Sequence, residues 1–149
     1  MTEIGYIGHC FECENRFFFK GLILEDSNKC EICSNKLQFA GPLWLGNLID
    51  KEFCQKMLDN IDTLELKTKK RIQKLIQLII QENNGIISYH EISRICKKEN
   101  LIIPAFQKII QSLRQEEFVV TRTHFSQSGI RTNAPREKIT QILKNLQKT

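Results

Sequence analysis

Two Cys-x-x-Cys pairs constrain this chain more than anything else in it. Cys10-Phe-Glu-Cys13 and Cys30-Glu-Ile-Cys33 are separated by sixteen residues, Glu14 to Lys29. Each pair lets two sulfurs from one tight knuckle converge on a point, and the span between is long enough for a hairpin that returns the second knuckle to the first. Four thiolates at about 2.3 Å in a tetrahedron saturate a zinc ion and leave no open position for water, so the predicted site is structural. Its binding energy is then folding energy for a segment too small to have its own core. Disulfides are the weaker reading, because a reducing compartment opposes them except in hyperthermophiles. A thioredoxin-type redox site needs one Cys-x-x-Cys at a helix start, not two facing knuckles. With four cysteines available, His9 is expected at the surface or behind the ligands. Cys54 and Cys96 fall on predicted helices among apolar neighbours, where cysteine acts as a small hydrophobe.

Around the knuckles, Ile4-Gly-Tyr6-Ile7, Phe17-Phe18-Phe19 and Gly21-Leu-Ile-Leu24 are short apolar runs broken by turn residues, so they read as strands. Asp26-Ser27-Asn28 is a turn signal. Gly41-Pro-Leu-Trp-Leu-Gly46 cannot form a regular helix and reads as a rigid apolar linker, with Trp44 expected to pack between the cysteine hairpin and its neighbour. Residues 1–46 therefore form one predicted domain and residues 47–149 a second.

The second domain has helical periodicity. A helix is predicted from Asp50, an N-cap residue, to about Ile61, with Phe53, Met57 and Leu58 on one face. Ile72, Leu75, Ile76 and Ile79 recur at i, i+3, i+4 and i+7, which predicts a helix over Leu64 to Glu82, stopped by Asn83-Asn84-Gly85. Ser88 is placed to cap a helix from Tyr89 to Lys98 that buries Ile92 and Ile95. Pro104 suits the first turn of the next, which carries Phe106, Ile109, Ile110 and Leu113. Strands over Phe118 to Thr123 and Gly129 to Thr132 flank a polar turn, and Pro135 opens a last helix bearing Ile139, Ile142, Leu143 and Leu146. Three helices followed by a hairpin is the order of a winged helix-turn-helix, with the third helix as recognition element. The expected fold class is α+β, a zinc ribbon followed by a winged-helix-like domain.

Charge divides the chain. Met1 to Leu66 holds 6 Lys/Arg against 11 Asp/Glu, a net −5, whereas Lys67 to Thr149 holds 16 against 6, a net +10. A polyanion such as nucleic acid should meet the second half, where basic side chains release condensed counterions; a solvated lysine-rich surface is the alternative. No apolar run approaches the roughly 20 residues needed to span a bilayer. Met1 to Gly8 lacks the pattern of a signal peptide, so a cytoplasmic location without membrane contact is expected.

Three runs together resemble a known family. Tyr6-Ile-Gly-His-Cys10 with the paired knuckles, Ala40-Gly-Pro-Leu-Trp-Leu-Gly46, and Thr123-His-Phe-Ser-Gln-Ser-Gly-Ile-Arg-Thr-Asn-Ala-Pro135 look like the C-terminal part of tRNA (guanine-N2)-dimethyltransferases of archaea and eukaryotes. The resemblance covers nearly the whole chain in order. It implies an enzyme that uses S-adenosylmethionine to methylate a tRNA guanine at the junction of D-arm and anticodon stem, with the chemistry in an N-terminal Rossmann-like domain. Where the family usually has Lys-Thr-Asp, this chain has Arg131-Thr132-Asn133, which puts in doubt any pairing made by the acidic residue.

The sequence contains neither a Gly-rich strand-to-helix turn for S-adenosylmethionine nor an Asp-Pro-Pro-type run for a target guanine. The expectation is therefore a tRNA-binding portion with no catalytic activity alone. It would act with a separate methyltransferase subunit, as one half of a split gene, or stand as a truncated remnant. Zinc is its own expected cofactor, and S-adenosylmethionine belongs to the catalytic domain. Candidate tRNA contacts are Lys69, Lys70 and Arg71 in the basic run at a helix start, and Lys108 and Arg114 off the apolar stripe of the third helix. Arg122, His124, Arg131 and Thr132 on the hairpin complete the set, as donors to phosphate and 2′-hydroxyl groups. A local turn network is the competing reading for His124 and Ser126. The rival function is a free-standing zinc-ribbon/winged-helix DNA-binding regulator, and a third reading is a protein–protein adaptor.

Overall fold

A computed structural model describes residues 3–22, 28–82 and 85–147. The predicted turn at Asp26-Ser27, the end of the Gly21–Leu24 run and the Asn83-Asn84 stop lie outside the described residues. The chain is a mixed α/β protein with two small antiparallel sheets. It divides into two units, Met1–Gly46 and Asn47–Thr149.

In the first unit, β1 (Ile4–His9) lies between β2 (Arg16–Lys20) and β3 (Gln38–Trp44). Two glycines on β1 let the layers close. A Cβ on Gly5 would fall 2.1 Å from the Phe19 carbonyl oxygen, and one on Gly8 would press on Phe19, Phe39 and Leu37. The run expected as a linker is mostly strand: Gly41 to Trp44 belong to β3. Proline is tolerated there because β3 is an edge strand and a missing N–H on its outer side costs nothing. Gly5 pairs with Leu43 but Ile7 with Ala40, so Gly41 and Pro42 together oppose Tyr6 in a bulge. Gly41 has φ +152°, and a Cβ there would strike the Tyr6 ring at 2.5 Å. Trp44 is 53% exposed, with its indole over Gly46, where a Cβ would lie 2.7 Å from Cζ2.

The second unit opens with α1 (Lys51–Asn60), whose first turn is capped as expected by Asp50, the carboxylate accepting from Phe53 N–H at 2.9 Å. A short 3₁₀ turn (Ile61–Thr63) follows, and the chain leaves it in extended conformation at Leu64. For that reason α2 starts at Lys69 and runs to Gln81, five residues later than the apolar spacing indicates. Next come β4 (His90–Glu91), α3 (Ile92–Lys98), α4 (Phe106–Gln115), β5 (Val120–Arg122), β6 (Gly129–Thr132) and α5 (Arg136–Asn145). The helix expected from Tyr89 is shorter, because His90 and Glu91 pair with Ile130 and Gly129 of β6 instead. The sheet order is β4-β6-β5.

The core of this unit gathers Ile92, Ile95, Cys96, Ile109, Leu113, Val120, Ile130, Ile139, Ile142 and Leu143, all nearly inaccessible. At about 1.5–3 kcal/mol for each fully buried aliphatic side chain, it is the main stabilising term of the unit. Among the described residues of the first unit the buried cluster is smaller: Cys10, Cys30 and Leu37, with Phe17, Phe19 and Phe39 packed against them, a core that a cross-link would reinforce.

Candidate functional site

Each cysteine knuckle is built the same way. Cys10 N–H donates to Asn15 O and its carbonyl accepts from Glu14 N–H; Cys30 N–H donates to Asn35 O and its carbonyl accepts from Ser34 N–H. Glu14 and Ser34, one residue after each second cysteine, take left-handed φ of 60° and 59°, which turns the chain back on itself. Asn15 and Asn35 then aim their amides at the sulfurs, 3.4 Å to Cys13 and 3.5 Å to Cys33. An N–H pointing at sulfur favours the thiolate over the thiol.

The four Sγ atoms lie within 4.8 Å of one another, with Cys10 and Cys33 at 3.3 Å and Cys13 and Cys30 at 3.5 Å. A zinc ion with four sulfurs at about 2.3 Å needs tetrahedral edges of about 3.8 Å, so this spacing fits one metal ion. The four thiols differ in their electrostatics. Burial pushes the Cys10 thiol up to about 12, while the backbone and side-chain N–H groups of Asn35 hold Cys33 down to about 6. A cation at the centre would relieve that conflict by stabilising all four thiolates together. His9 is half-buried, its ring edge-on to that of Phe11 at 4.5 Å.

In the second unit the hairpin residues gather on one buried carboxylate. Glu82 follows the last turn of α2, and its side chain is wholly inaccessible. Oε2 accepts from Thr123 Oγ1 at 3.0 Å and from Arg131 Nε at 2.8 Å. Oε1 accepts from the His124 backbone N–H and lies 2.8 Å from its ring Nδ1. Arg131 also donates through Nη1 to the carbonyls of Ile86 and Ile87. A second carboxylate, Glu91, accepts from Ser126, Ser128 and Ser93. Those hydroxyls, Ser126 foremost and then Ser128, hold it below the usual carboxylate range.

The candidate contacts therefore divide. Lys70, Arg71, Lys108, Arg114 and Arg122 are exposed. Lys69 is half-buried and tied to the Asp62 carbonyl at 3.0 Å. Arg131 and Thr132 are buried and His124 half-buried; Thr132 Oγ1 accepts from Ala134 N–H at 3.1 Å. Among these, the structure brings together His124 and Arg131, both on Glu82.

Residues 1–144 match the family model described as "TRM: N2,N2-dimethylguanosine tRNA methyltransferase". The chain belongs to that family. A tRNA (guanine(26)-N(2))-dimethyltransferase of Methanobrevibacter smithii is 36% identical over 146 residues, covering 98% of this chain and 38% of the relative. The same enzyme of Methanosphaera stadtmanae is 30% identical over 143 residues, covering 96% and 37%. Among solved structures, the complex of Trm1 from Pyrococcus horikoshii with S-adenosyl-L-methionine aligns with a TM-score of 0.77 at 29% identity, over 95% of this chain and 35% of that one. The chain thus spans little more than a third of the length of these members of the tRNA dimethylguanosine methyltransferase family.

Two features of this family member lie outside the expectations drawn from its sequence. The asparagine amides were legible, since Cys-x-x-Cys-x-Asn occurs twice, at Cys10–Asn15 and Cys30–Asn35. Glu82 gave a subtler signal. A carboxylate at the C-terminal end of a helix opposes the helix dipole, so it calls for a cationic partner, and Arg131 supplies one. Asn133, where the chain departs from Lys-Thr-Asp, has a structural partner. Its Oδ1 accepts from Val119 N–H at 2.9 Å, a bond that needs an oxygen and no charge.

Proposed function

We propose that this chain is the tRNA-binding portion of an S-adenosylmethionine-dependent tRNA (guanine-N2)-dimethyltransferase. Methyl transfer would be carried out by a catalytic domain in a partner subunit or in the remaining length of the protein. The observation that carries this reading is the family match over residues 1–144, on a chain spanning little more than a third of its relatives. Cys10, Cys13, Cys30 and Cys33 would hold one zinc ion, whose chemistry is structural: four thiolates leave no site for substrate or water.

In this reading residues 1–46 are a zinc ribbon and residues 47–149 a winged-helix-like domain. The second assignment is supported by the sheet order β4-β6-β5 and by the two helices α3 and α4 between β4 and β5. The exposed cations Lys70, Arg71, Lys108, Arg114 and Arg122 would meet phosphates, and specificity would come from RNA shape with little base reading. Lys69, His124, Arg131 and Thr132 would act at one remove, by shaping the surface that carries those cations. A cytoplasmic location follows from the tRNA substrate.

Two measurements test the proposal. The purified, reduced protein should contain one zinc per chain by mass spectrometry, and a chelator should collapse the first unit. In gel shifts at physiological salt it should retard tRNA in preference to duplex DNA. Preference for DNA would favour a zinc-ribbon/winged-helix regulator, and binding to neither would favour a protein adaptor; each outcome overturns the tRNA reading.

A further inference from the structure

The turn between β5 and β6 presents an aromatic ring to solvent, and everything beneath that ring is fixed. Phe125 is 61% exposed. Its N–H donates to Thr123 Oγ1 at 3.4 Å, and the Thr123 hydroxyl is in turn held by Glu82. The preceding residue, His124, is bound to Glu82 through both its backbone N–H and its ring, which lies 4.0 Å from the Phe125 ring centre. Arg131, anchored on the same carboxylate, places its guanidinium carbon 5.7 Å from that centre. Tyr89 supplies a nearly parallel ring, inclined by 10° at 6.0 Å.

A lone exposed hydrophobe is ordinary on a protein surface. This one differs in its support. A buried carboxylate–guanidinium cluster holds the turn from below, so the ordering cost that a flexible loop would incur on binding has largely been met. The guanidinium beside the ring is that of Arg131; Arg122, paired with Ile130, faces the other side of the sheet, where it donates to Gln127 O at 3.4 Å and its guanidinium carbon lies 5.1 Å from the centre of the Phe106 ring. The surrounding sequence is strongly basic, net +10 from Lys67 to Thr149. An apolar protein surface would match the ring but not the basic unit that carries it. An unpaired base on a phosphate backbone matches both, with its π face on the ring and its phosphates drawn to the exposed cations of the unit.

We propose that Phe125 is a stacking platform for an unpaired nucleobase of the bound tRNA. The inference rests on the tRNA-binding reading above and adds to it a site that reads single-stranded or flipped-out nucleotides.

The test is binding of an unmodified tRNA transcript to the full chain across a salt series. Phe125→Ala should weaken binding about tenfold, the typical loss of one base–aromatic stack, and leave the salt slope unchanged because no charge is removed. Phe125→Tyr should bind like wild type. Phe125→Leu, which keeps apolar volume but lacks a π face, should be as weak as the alanine variant. The contrast between Tyr and Leu carries the test even if the alanine variant folds poorly. Binding within twofold of wild type for Phe125→Leu overturns the platform while leaving tRNA binding in place, and would point to a contact with protein. Failure of the wild-type chain to bind tRNA overturns both.

Discussion

Glu82→Gln should be among the most damaging near-isosteric substitutions in the second unit. The carboxylate is fully buried, and its partner Arg131 is only 3% exposed. Glutamine can present its carbonyl at Oε1, where His124 donates. Its amide nitrogen then falls where Oε2 accepted from Thr123 and Arg131, so two donors face a donor and the guanidinium is left buried without a countercharge. Breaking one side of a buried ion pair costs about 3–5 kcal/mol. For a domain of about 100 residues each kilocalorie lowers the melting temperature by about 4–8 °C, so a fall of about 15 °C or more is expected. Urea denaturation followed by circular dichroism at 222 nm measures it directly, with a lower midpoint and an unchanged slope. The double variant Glu82→Met/Arg131→Met should recover part of the loss, because it removes the stranded charge along with its partner. A Glu82→Gln protein within 0.5 kcal/mol of wild type would refute the argument, since that is the range of ordinary surface substitutions.

Two other expectations are smaller in size. Asn133→Asp should be nearly neutral, whereas Asn133→Ala should cost about 1 kcal/mol in the same urea assay, the worth of one hydrogen bond to Val119 N–H; equal stability of the two variants would contradict the role given to Oδ1. Glu91 should govern part of the acid limb. Its folded value is depressed by Ser126 and Ser128, so its stabilising contribution is complete above the ordinary 4.5 and is lost as pH falls below that toward the folded value. Glu91→Gln should therefore flatten the loss of stability below pH 4.5, and an unchanged acid limb would count against the network.

Local chemistry was legible where it was periodic or repeated. The two knuckles, the Asp50 cap, the α4 stripe of Phe106, Ile109, Ile110 and Leu113, and the bounds of β6 all follow from short-range rules. Elements defined by distant partners were not. His90 and Glu91 have no pattern of a strand; they become one only because β6, some forty residues later, supplies the pairing groups. Leu64 sits at a spacing that extends the α2 stripe, yet the 3₁₀ turn before it sends the chain out extended. Periodicity records which side chains are apolar, not whether the backbone between them has turned.

The same reasoning explains why Thr123 to Pro135 reads so readily as a nucleic-acid-binding run. Its polar and basic residues suggest surface donors, and an isolated hairpin would expose every second side chain. β6 is instead the central strand of its sheet, and all four of its residues are buried. Arg131 must then find its countercharge inside the protein, which it does on Glu82, and Thr132 satisfies the turn that follows it. A buried pair of this kind is weak evidence for added stability, since apolar residues could fill the space as well. What it does supply is geometry. Glu82 binds both ends of the β5–β6 turn, Thr123–His124 on one side and Arg131 on the other, so the residues between them can be exposed and still hold one shape. On that argument the basic residue that looks most like a ligand contact is the anchor, and Phe125 is the exposed residue it supports.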